Sequence, residues 1–482
     1  MSSAYECVIG LEVHAQLLTR SKMFCGCRAD YLGLPPNSNT CPVCLGLPGA
    51  LPVMNQKAVE YTIRTALALN CQIPEFTKFD RKNYFYPDLP KGYQISQYDL
   101  PLSLNGYLEF EVEGVLHRAG VTRVHLEEDA GTLHHAGEIQ NSAFSLVDLN
   151  RAGVPLMEIV GEPDLRAPIE APAYLAALRQ TLIYLGVNDG NMEEGSLRCD
   201  ANISLRPPGA SVLGAKVEVK NMNSFRSIQR ALEFEVVRQT ELLDQGVSIA
   251  QETRGWSEAE QVTVSQRSKE EAQEYRYFPE PDLPPLLVSK ELVEQLRSQL
   301  PELPLPKRGR LQQQYGVSPE QARILADRPG DADYFEAVVA TGAQPRAAAN
   351  WQIQNLQALC NAVRLQVEQC RVPAAALAEL VQMVESDRVS GSVAKEALAE
   401  AFETGASPAD LIRERGLTQV SDSGEIAALV DQVLAENAQA AVDYQAGKDQ
   451  ALGALVGEVM ARSGRKANPK VVNQLLRERL PR

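Results

Sequence analysis

The alternation of apolar and polar residues divides the chain into two parts. Up to about residue 287, short segments with a period of two, such as residues 216–220, are separated by Gly and Pro turns. This pattern is typical of β-strands with one polar face. Leucines recur at helical spacing from Leu175 to Leu185, and Gly186 follows as a left-handed cap, which predicts one helix among the strands. The first part is therefore predicted to be an α+β domain.

Beyond about residue 295 the pattern predicts helices. A proline-rich connection is predicted at residues 301–306, where it follows a predicted helix at residues 290–300 and blocks its continuation. Ser318-Pro319-Glu320-Gln321 supplies an N-cap, a first-turn proline and a capping-box glutamine, and Ser407-Pro408 opens another helix in the same way. A chain of 482 residues is also too long for one core. We predict three domains, at 1–295, at 296–408 (all-α) and at 409–482 (a small all-α tail domain).

The composition predicts a cytoplasmic protein with no membrane role. The sequence has no run of about 18 uninterrupted apolar residues that could span a bilayer. Its first residues lack the basic and apolar parts of a secretory signal. The nine cysteines are then expected to be reduced.

Charge restricts the ways in which the chain can bind nucleic acid. The formal net charge of -15 argues against a surface covered in phosphate contacts, so any RNA contact must be local. From residue 448 to residue 482 there are eight basic residues against three acidic ones. The candidates for RNA contact in this tail are Lys448, Arg462, Arg465, Lys466 and Lys470. On this feature alone, a solvated basic helix face is the favoured explanation.

Four cysteines have the spacing of a metal site. Cys25 and Cys27 are followed, after thirteen residues, by Cys41 and Cys44. Two close pairs of thiolates are typical of a structural zinc site, in which each turn brings two sulfurs to one tetrahedral ion. The alternative is a set of four reduced or buried cysteines, and the paired spacing favours zinc. Such a closed site identifies no activity.

Acidic residues form a second candidate site. If residues 9–17 form a strand, Glu12 and His14 share one face about 7 Å apart, which suits magnesium or manganese. Residues 125–129 add a dense group of carboxylates. Adjacent strand residues face opposite ways, so Glu127 and Glu128 are not expected to serve one ion unless the backbone bends. The alternatives are an exposed polar strand face and an acidic surface turn.

Aromatic residues interleaved with Lys and Arg at residues 78–88 could stack on bases while the cations pair with phosphates. They could equally be aromatic residues that pack a loop. Neither the phosphate-loop motif nor the dinucleotide fingerprint occurs in the sequence, so no standard motif identifies a nucleotide site.

Five segments resemble signature segments of the B subunits of the aspartyl/glutamyl-tRNA(Asn/Gln) amidotransferases. They are IGLEVH at 9–14, KNYFYPD at 82–88, EEDAG at 127–131, EEGSLRCD at 193–200 and YRYFPEPD at 275–282. The resemblance covers essentially the whole chain, including the tail. It implies a cradle-shaped catalytic domain with a largely antiparallel sheet, followed by the helical domain and the tail domain.

The resemblance also implies a reaction. ATP phosphorylates the side-chain carboxylate of Glu-tRNA(Gln), of Asp-tRNA(Asn) or of both, and ammonia then displaces phosphate. ATP and Mg²⁺ are the implied cofactors, with structural zinc as a third. Ammonia is expected from a separate glutaminase (amidase) subunit, which a small third subunit braces in a heterotrimer. The competing interpretation is a non-catalytic, zinc-containing RNA-binding scaffold, which explains the cysteines and the tail but not the clustered acids.

Residue roles follow from the same resemblance. It implies Glu12, His14 and Glu128 as catalytic metal ligands. Further contributors to the metal site are Glu127, Glu158 and Asp200. Contacts to phosphate or substrate are expected from Lys82, Arg198 and Lys220. Some members of the family lack the four cysteines, so zinc is not essential to the shared chemistry.

Overall fold

The computed structural model describes residues 5–135, 144–268, 275–417, 423–464 and 467–481. The chain divides into two compact units, Met1–Leu305 and Pro306–Arg482. None of the helices in the described ranges combines the length and the apolar character that crossing a membrane requires.

Within the described residues, the first unit contains the strands and four helices. The strands are β1 (Glu6–Gln16), β2 (Phe76–Thr77), β3 (Asp80–Asn83), β4 (Tyr93–Ser96), β5 (Ser103–Val112), β6 (Val115–Glu128), β7 (Thr132–His135), β8 (Ser145–Asp148), β9 (Pro155–Gly161), β10 (Leu197–Arg206), β11 (Val217–Lys220), β12 (Glu252–Ser257), β13 (Val262–Ser268), β14 (Phe278–Pro279) and β15 (Leu286–Leu287). The helices are α1 (Gln56–Ala68), α2 (Glu170–Tyr184), α3 (Phe225–Asp244) and α4 (Lys290–Ser298).

One large sheet organises this unit. Its eight strands lie in the order β13-β12-β11-β10-β1-β9-β6-β5. Every neighbouring pair is antiparallel except β11 and β12. The remaining strands form small sheets of β14-β3-β4, β15-β2 and β7-β8. The predicted α+β class with a largely antiparallel sheet is confirmed.

The two faces of the large sheet differ because the central strands alternate. In β1, Leu11, Val13 and Ala15 are buried, and the residues between them are only half-buried. Helix α1 packs on β5 and β6, α2 on β5, and α3 on β10. One face is thus apolar and covered by helices, while the other carries polar side chains. The predicted helix near Leu175 is α2, and Gly186 follows it with a φ of +64°.

The second unit is helical. Its helices are α5 (Pro304–Tyr315), α6 (Pro319–Leu325), α7 (Pro329–Ala340), α8 (Pro345–Trp351), α9 (Gln357–Ala362), α10 (Ala374–Glu385), α11 (Gly391–Thr404), α12 (Pro408–Glu414), α13 (Ser423–Glu436), α14 (Ala438–Gln445), α15 (Asp449–Arg462) and α16 (Pro469–Arg479). A π-helical turn (Gln352–Leu356) joins α8 to α9, and a 3-10 turn spans Val367–Gln369. The predicted capping box of Ser318 and Gln321 opens α6. Pro304 and Pro306 lie in the first turn of α5, where a missing N–H costs little, rather than in a connection.

In the described parts of the chain, buried apolar residues form three separate clusters. The first belongs to the sheet and its helices and includes Leu296 of α4. The second, among α5 to α12, includes Ala409 and Ile412, and the third joins α13 to α16. The three-domain division with boundaries after residues 295 and 408 stays a prediction. The packing assigns α4 to the first cluster and α12 to the second.

Candidate functional site

A row of charged and imidazole side chains crosses the polar face of the large sheet. His125 of β6 pairs with Glu158 of β9, Glu158 with His14 of β1, and His14 with Arg198 of β10. Directly opposed residues on neighbouring strands point to the same face, so the four side chains lie side by side. The row exists only because β6, β9, β1 and β10 are neighbours.

His14, Glu127 and Glu158 bring three ligand atoms together. The Nε2 atom of His14 lies 3.6 Å from Oε1 of Glu127 and 3.7 Å from Oε2 of Glu158. All three ligand atoms lie within 4.8 Å of one another. Two carboxylates and one imidazole at this separation suit a hard divalent cation, with coordination positions left for other ligands. We refer to these three residues as the acid cluster.

The electrostatics of the acid cluster also fit a cation. Burial and the neighbouring Glu158 raise the pKa of Glu127 to about 8. Burial would also raise the pKa of Glu158, but the charge and hydrogen bond of His125 outweigh it and lower that pKa. Burial lowers the pKa of His14, which favours the neutral imidazole that metals bind. A cation between the carboxylates would favour the charged form of both.

Glu128 lies apart from the acid cluster. Its side chain forms an ion pair with Lys91 and accepts a hydrogen bond from the backbone N of Ile95, 2.9 Å away. It lines a cavity of about 140 Å³ together with Cys25 and Cys44. The implied ligand set of Glu12, His14 and Glu128 is therefore not the set that the structure groups. Strand alternation puts Glu127, not Glu128, beside His14.

Glu12, Asp200 and Lys220 form a second polar group on the same face. Glu12 accepts a hydrogen bond of 2.8 Å from Asn202. The Nζ atom of Lys220 lies 2.6 Å from Asp200 and 3.2 Å from Glu218. Burial would lower the pKa of Lys220, but the carboxylates of Asp200 and Glu218 outweigh it and raise that pKa. The three predicted residues thus lie on the polar face, one step along the strands from the acid cluster.

Arg198 and Lys82 flank the acid cluster with positive charge. Arg198 donates two hydrogen bonds to Asp129, of 2.9 and 3.1 Å, and its side chain keeps about a third of its surface exposed. Burial lowers the pKa of Lys82, but Glu127, Tyr277 and Glu158 outweigh it and raise that pKa. Both cations can therefore meet an anionic substrate next to the acid cluster.

The four predicted cysteines converge. Their sulfurs lie within 4.8 Å of one another, and those of Cys41 and Cys44 are 3.8 Å apart. Zinc–sulfur bonds of about 2.3 Å in a tetrahedron place two sulfurs about 3.8 Å apart, so the four cysteines fit zinc. We refer to Cys25, Cys27, Cys41 and Cys44 as the cysteine cluster.

A buried cation supports the cysteine cluster. Lys22 is fully buried, and its Nζ donates to the carbonyl of Asn39 at 2.8 Å and to the sulfur of Cys44 at 3.8 Å. The hydrogen bond from Cys25, with Lys22 as a smaller cause, lowers the pKa of Cys44 to about 5. A buried ammonium group needs a nearby negative charge, which the thiolate supplies.

The basic residues of the tail are paired with acids. Lys448 lies 3.1 Å from Asp443, and Lys470 lies 2.9 Å from Asp387. Arg462 bridges Glu436 and Glu458 at 2.5 and 3.1 Å. Arg465 and Lys466 fall outside the described residues. Exposed ion pairs of this kind are weak, so phosphate groups can compete for these cations.

Several residues of the site were not singled out from the sequence. His125 holds Glu158 at 3.2 Å, and its place two residues before Glu127 in an alternating strand was a usable signal. Asp129 belongs to the dense group of carboxylates at residues 125–129, which was a signal that it pairs with a cation such as Arg198. Lys91 and Lys22 had no sequence signal, because their importance comes from burial beside Glu128 and Cys44.

Comparisons with known proteins match both parts of the chain. A family model described as the GatB/GatE catalytic domain matches residues 7–294, and one described as the GatB domain matches residues 333–480. The polar face, the acid cluster and the cysteine cluster all lie within the first match.

Curated relatives extend the similarity over the full length. A protein of Carboxydothermus hydrogenoformans is 52% identical over 476 residues, covering 99% of each chain. Proteins of Thermosynechococcus vestitus and Thermomicrobium roseum are each 52% identical, and the alignments cover 99% of this chain and 97% and 99% of theirs. All three are named as the B subunit of aspartyl/glutamyl-tRNA(Asn/Gln) amidotransferase.

Proposed function

Since the chain belongs to the family of aspartyl/glutamyl-tRNA(Asn/Gln) amidotransferase B subunits, we propose that it performs the ATP-dependent amidation of mischarged tRNA. The substrate is Glu-tRNA(Gln), Asp-tRNA(Asn) or both. The observation that carries the proposal is the acid cluster on the polar face of the catalytic-domain sheet, with Arg198 and Lys82 beside it.

Conversion of a carboxylate to an amide requires a better leaving group than oxide. The terminal phosphoryl group of ATP passes to an oxygen of the side-chain carboxylate, and ADP leaves. Ammonia then attacks the carbonyl carbon, and phosphate leaves as the amide forms. Positioning and the offsetting of phosphate charge supply most of the catalysis of phosphoryl transfer.

We assign the residues of the polar face to positioning the phosphoryl group and to offsetting its negative charge. His14, Glu127 and Glu158 would hold Mg²⁺, which when bound offsets negative charge on phosphate oxygens. Arg198, oriented by Asp129, presents its remaining N–H groups to an anionic oxygen. Lys82 adds a second positive charge on the side of Glu127. Glu12, Asp200 and Lys220 extend the charged surface that the substrate meets.

The remaining parts of the complex follow from the family. The sequence contains no Gly-Gly-Ser-Ser-Gly amidase segment, so the proposal requires ammonia from a separate glutaminase (amidase) subunit, braced by a small third one. The cysteine cluster would hold structural zinc, which Lys22 stabilises by its charge. The tail, with Lys448, Arg462 and Lys470, would bind the body of the tRNA through phosphate contacts.

The test is ATP hydrolysis that depends on mischarged tRNA. The chain, assembled with the glutaminase and the small third protein, is supplied with ATP, ammonium chloride and Glu-tRNA(Gln). We expect ADP and Gln-tRNA(Gln) to form in equal amounts, and uncharged tRNA to give neither. Binding of both tRNAs without ATP hydrolysis would instead support a non-catalytic RNA-binding scaffold.

A further inference from the structure

Four tyrosines form a continuous strip beside the acid cluster. The rings of Tyr98 and Tyr277 stack with centroids 4.2 Å apart and planes 8° apart. Tyr277 contacts Tyr275 edge-on at 6.2 Å, and Tyr275 contacts Tyr84 at 6.0 Å. We refer to Tyr84, Tyr98, Tyr275 and Tyr277 as the tyrosine strip. Its members come from two chain segments that β3, β4 and β14 join into one small sheet.

The tyrosine strip lies in the region where exposed aromatic side chains concentrate. Seven aromatic side chains are exposed among the described residues, and five belong to the two segments of the strip. These five are Phe85, Tyr86, Tyr98, Tyr275 and Phe278. Apolar rings cost free energy in water, so such a concentration within two paired segments indicates a binding surface.

The strip is fixed in place rather than loosely attached. Tyr98 is 52% exposed, yet its backbone N donates to the buried carboxylate of Asp80 at 3.2 Å. Lys78 forms an ion pair with Asp80 and lies 2.5 Å from Asp99, the residue that follows Tyr98. A rigid ring with an accessible surface loses little conformational entropy when a ligand stacks on it.

Lys82 connects the strip to the acid cluster. Its Nζ lies 4.9 Å from the ring centre of Tyr275 and 5.8 Å from that of Tyr84. Glu127 and Glu158 act electrostatically on the same ammonium group. A ligand lying along the strip would therefore place its negatively charged backbone near Lys82 and its end near the acid cluster.

We propose that the tyrosine strip binds the unpaired nucleobases at the acceptor end of the substrate tRNA. The inference rests on the proposed function, because it takes the reacting aminoacyl group to lie at the acid cluster. Unpaired bases are recognised by stacking on aromatic rings, while Lys and Arg meet the phosphates. Four contiguous rings offer more stacking surface than the single base of ATP can use. A run of unpaired nucleotides matches that length.

Binding to tRNA with and without its unpaired 3′ nucleotides tests the proposal. The full chain in its amidotransferase complex is titrated with a glutamine tRNA transcript, either complete or truncated at the 3′ end. We expect Tyr98→Leu to weaken binding of the complete transcript about tenfold and to leave binding of the truncated one unchanged. Tyr98→Phe keeps the ring and should bind within about twofold of the unaltered complex.

Controls separate stacking from other effects. Phe76→Leu removes an exposed ring outside the strip and should change neither affinity. Tyr275→Leu tests a second member and should repeat the selective loss, with assembly and thermal unfolding monitored for every variant. An equal loss on both transcripts, no loss on either, failure of the complex to assemble, or a raised KM for ATP with unchanged tRNA affinity would each overturn the proposal.

The wild-type complex separates this proposal from the proposed function. If it neither binds the complete transcript nor amidates Glu-tRNA(Gln), the proposed function fails and the strip proposal fails with it. If it does both and Tyr98→Leu shows no selective loss, only the role of the strip is overturned.

Discussion

The cysteine cluster and the acid cluster are built in opposite ways. All four cysteines come from one stretch of twenty residues, Cys25 to Cys44, in turns between β1 and α1. The acid cluster takes one residue from each of β1, β6 and β9, which are distant in sequence and neighbours only in the sheet. The first site depends on local loop geometry, and the second depends on the whole sheet.

The chemistry of the two clusters differs accordingly. With zinc bound, four thiolates would complete a tetrahedral shell and leave no position for substrate, as in structural metal sites. His14, Glu127 and Glu158 would supply a cation with only three ligand atoms and leave positions open, and Arg198 and Lys82 lie beside them for an anion. Loss of the cysteine cluster should thus reduce stability, and loss of the acid cluster should reduce catalysis.

The largest expected effect is on catalysis through Glu158. Glu158→Gln keeps the size of the side chain and removes a charge that we propose holds the cation. Amidation with ammonium chloride should fall roughly a thousandfold, equal to about 4 kcal/mol of transition-state stabilisation. Glu162→Gln, at an exposed position beyond the same strand, should stay within about twofold. Amidation rates near wild type for Glu158→Gln would contradict the assignment of catalysis to the acid cluster.

The second effect is on stability through the cysteine cluster. Cys41→Ser removes one of the four proposed zinc ligands, so zinc should fall from about one equivalent to a small fraction, and Tm should drop by several degrees. Cys7→Ser, at a half-buried cysteine outside the cluster, should keep both values. Amidation measured well below Tm should persist within a few-fold. Complete loss of amidation by folded Cys41→Ser would make the cysteine cluster part of the catalytic machinery.

The third effect is the acid dependence of stability at Asp129. Burial raises its pKa, but Arg198 and Arg151 outweigh it and hold the pKa at about 2, below the ordinary 3.8. Because the folded-state pKa is depressed, the carboxylate stabilises the fold above about pH 4, and this stabilisation is lost as pH falls through about 2. Its size is about 2 kcal/mol.

Urea unfolding of Asp129→Asn between about pH 4 and pH 2 measures that contribution. The variant should be less stable near neutral pH and should lose less stability than wild type on acidification. Glu113→Gln, at an exposed carboxylate, should follow the wild-type curve. If the unfolding free energies of wild type and Asp129→Asn changed in parallel with pH, the ion pair of Asp129 with Arg198 would not stabilise the fold.

The smallest expected effect is on tRNA affinity through the tail. Lys448→Glu combined with Lys470→Glu reverses two exposed charges. Affinity for tRNA should fall several-fold, and the slope of log affinity against log salt should decrease by about 2. Lys395→Glu, at an exposed position of helix α11, is the matched control. An unchanged salt slope in the double variant would place the tRNA contacts elsewhere.

The acid cluster was only partly predictable from the sequence pattern. The alternation of residues 9–17 predicted that Glu12 and His14 share a face, and the structure has them both on the polar side of β1. Alternation also predicted that only one of Glu127 and Glu128 could join them. The choice between the two depended on the register of β6 against β9, which no local pattern contains. The resemblance implied Glu128 as a metal ligand, whereas the strand register places Glu127 beside His14.

Local features were easier to predict than long-range ones. The cysteine pairs, the capping box at Ser318 and the strand predicted at 216–220 each depend on a few neighbouring residues. All three appear in the structure, the strand as β11 (Val217–Lys220). Lys22 and Lys91 act through burial beside groups that lie 22 and 37 residues further along the chain. Only packing makes these two lysines important, so their sequence surroundings give no signal.

Cation binding to two neighbouring carboxylate variants tests the central claim most directly. The zinc-loaded complex is titrated with Mn²⁺, followed by electron paramagnetic resonance, for wild type, Glu127→Gln and Glu128→Gln. Glu128 is paired with Lys91, whereas Glu127 lies 3.6 Å from His14. We predict about one tightly bound Mn²⁺ in wild type and in folded Glu128→Gln, and at least about tenfold weaker binding in Glu127→Gln. Tight binding kept by Glu127→Gln and lost by Glu128→Gln would contradict the acid cluster as the cation site.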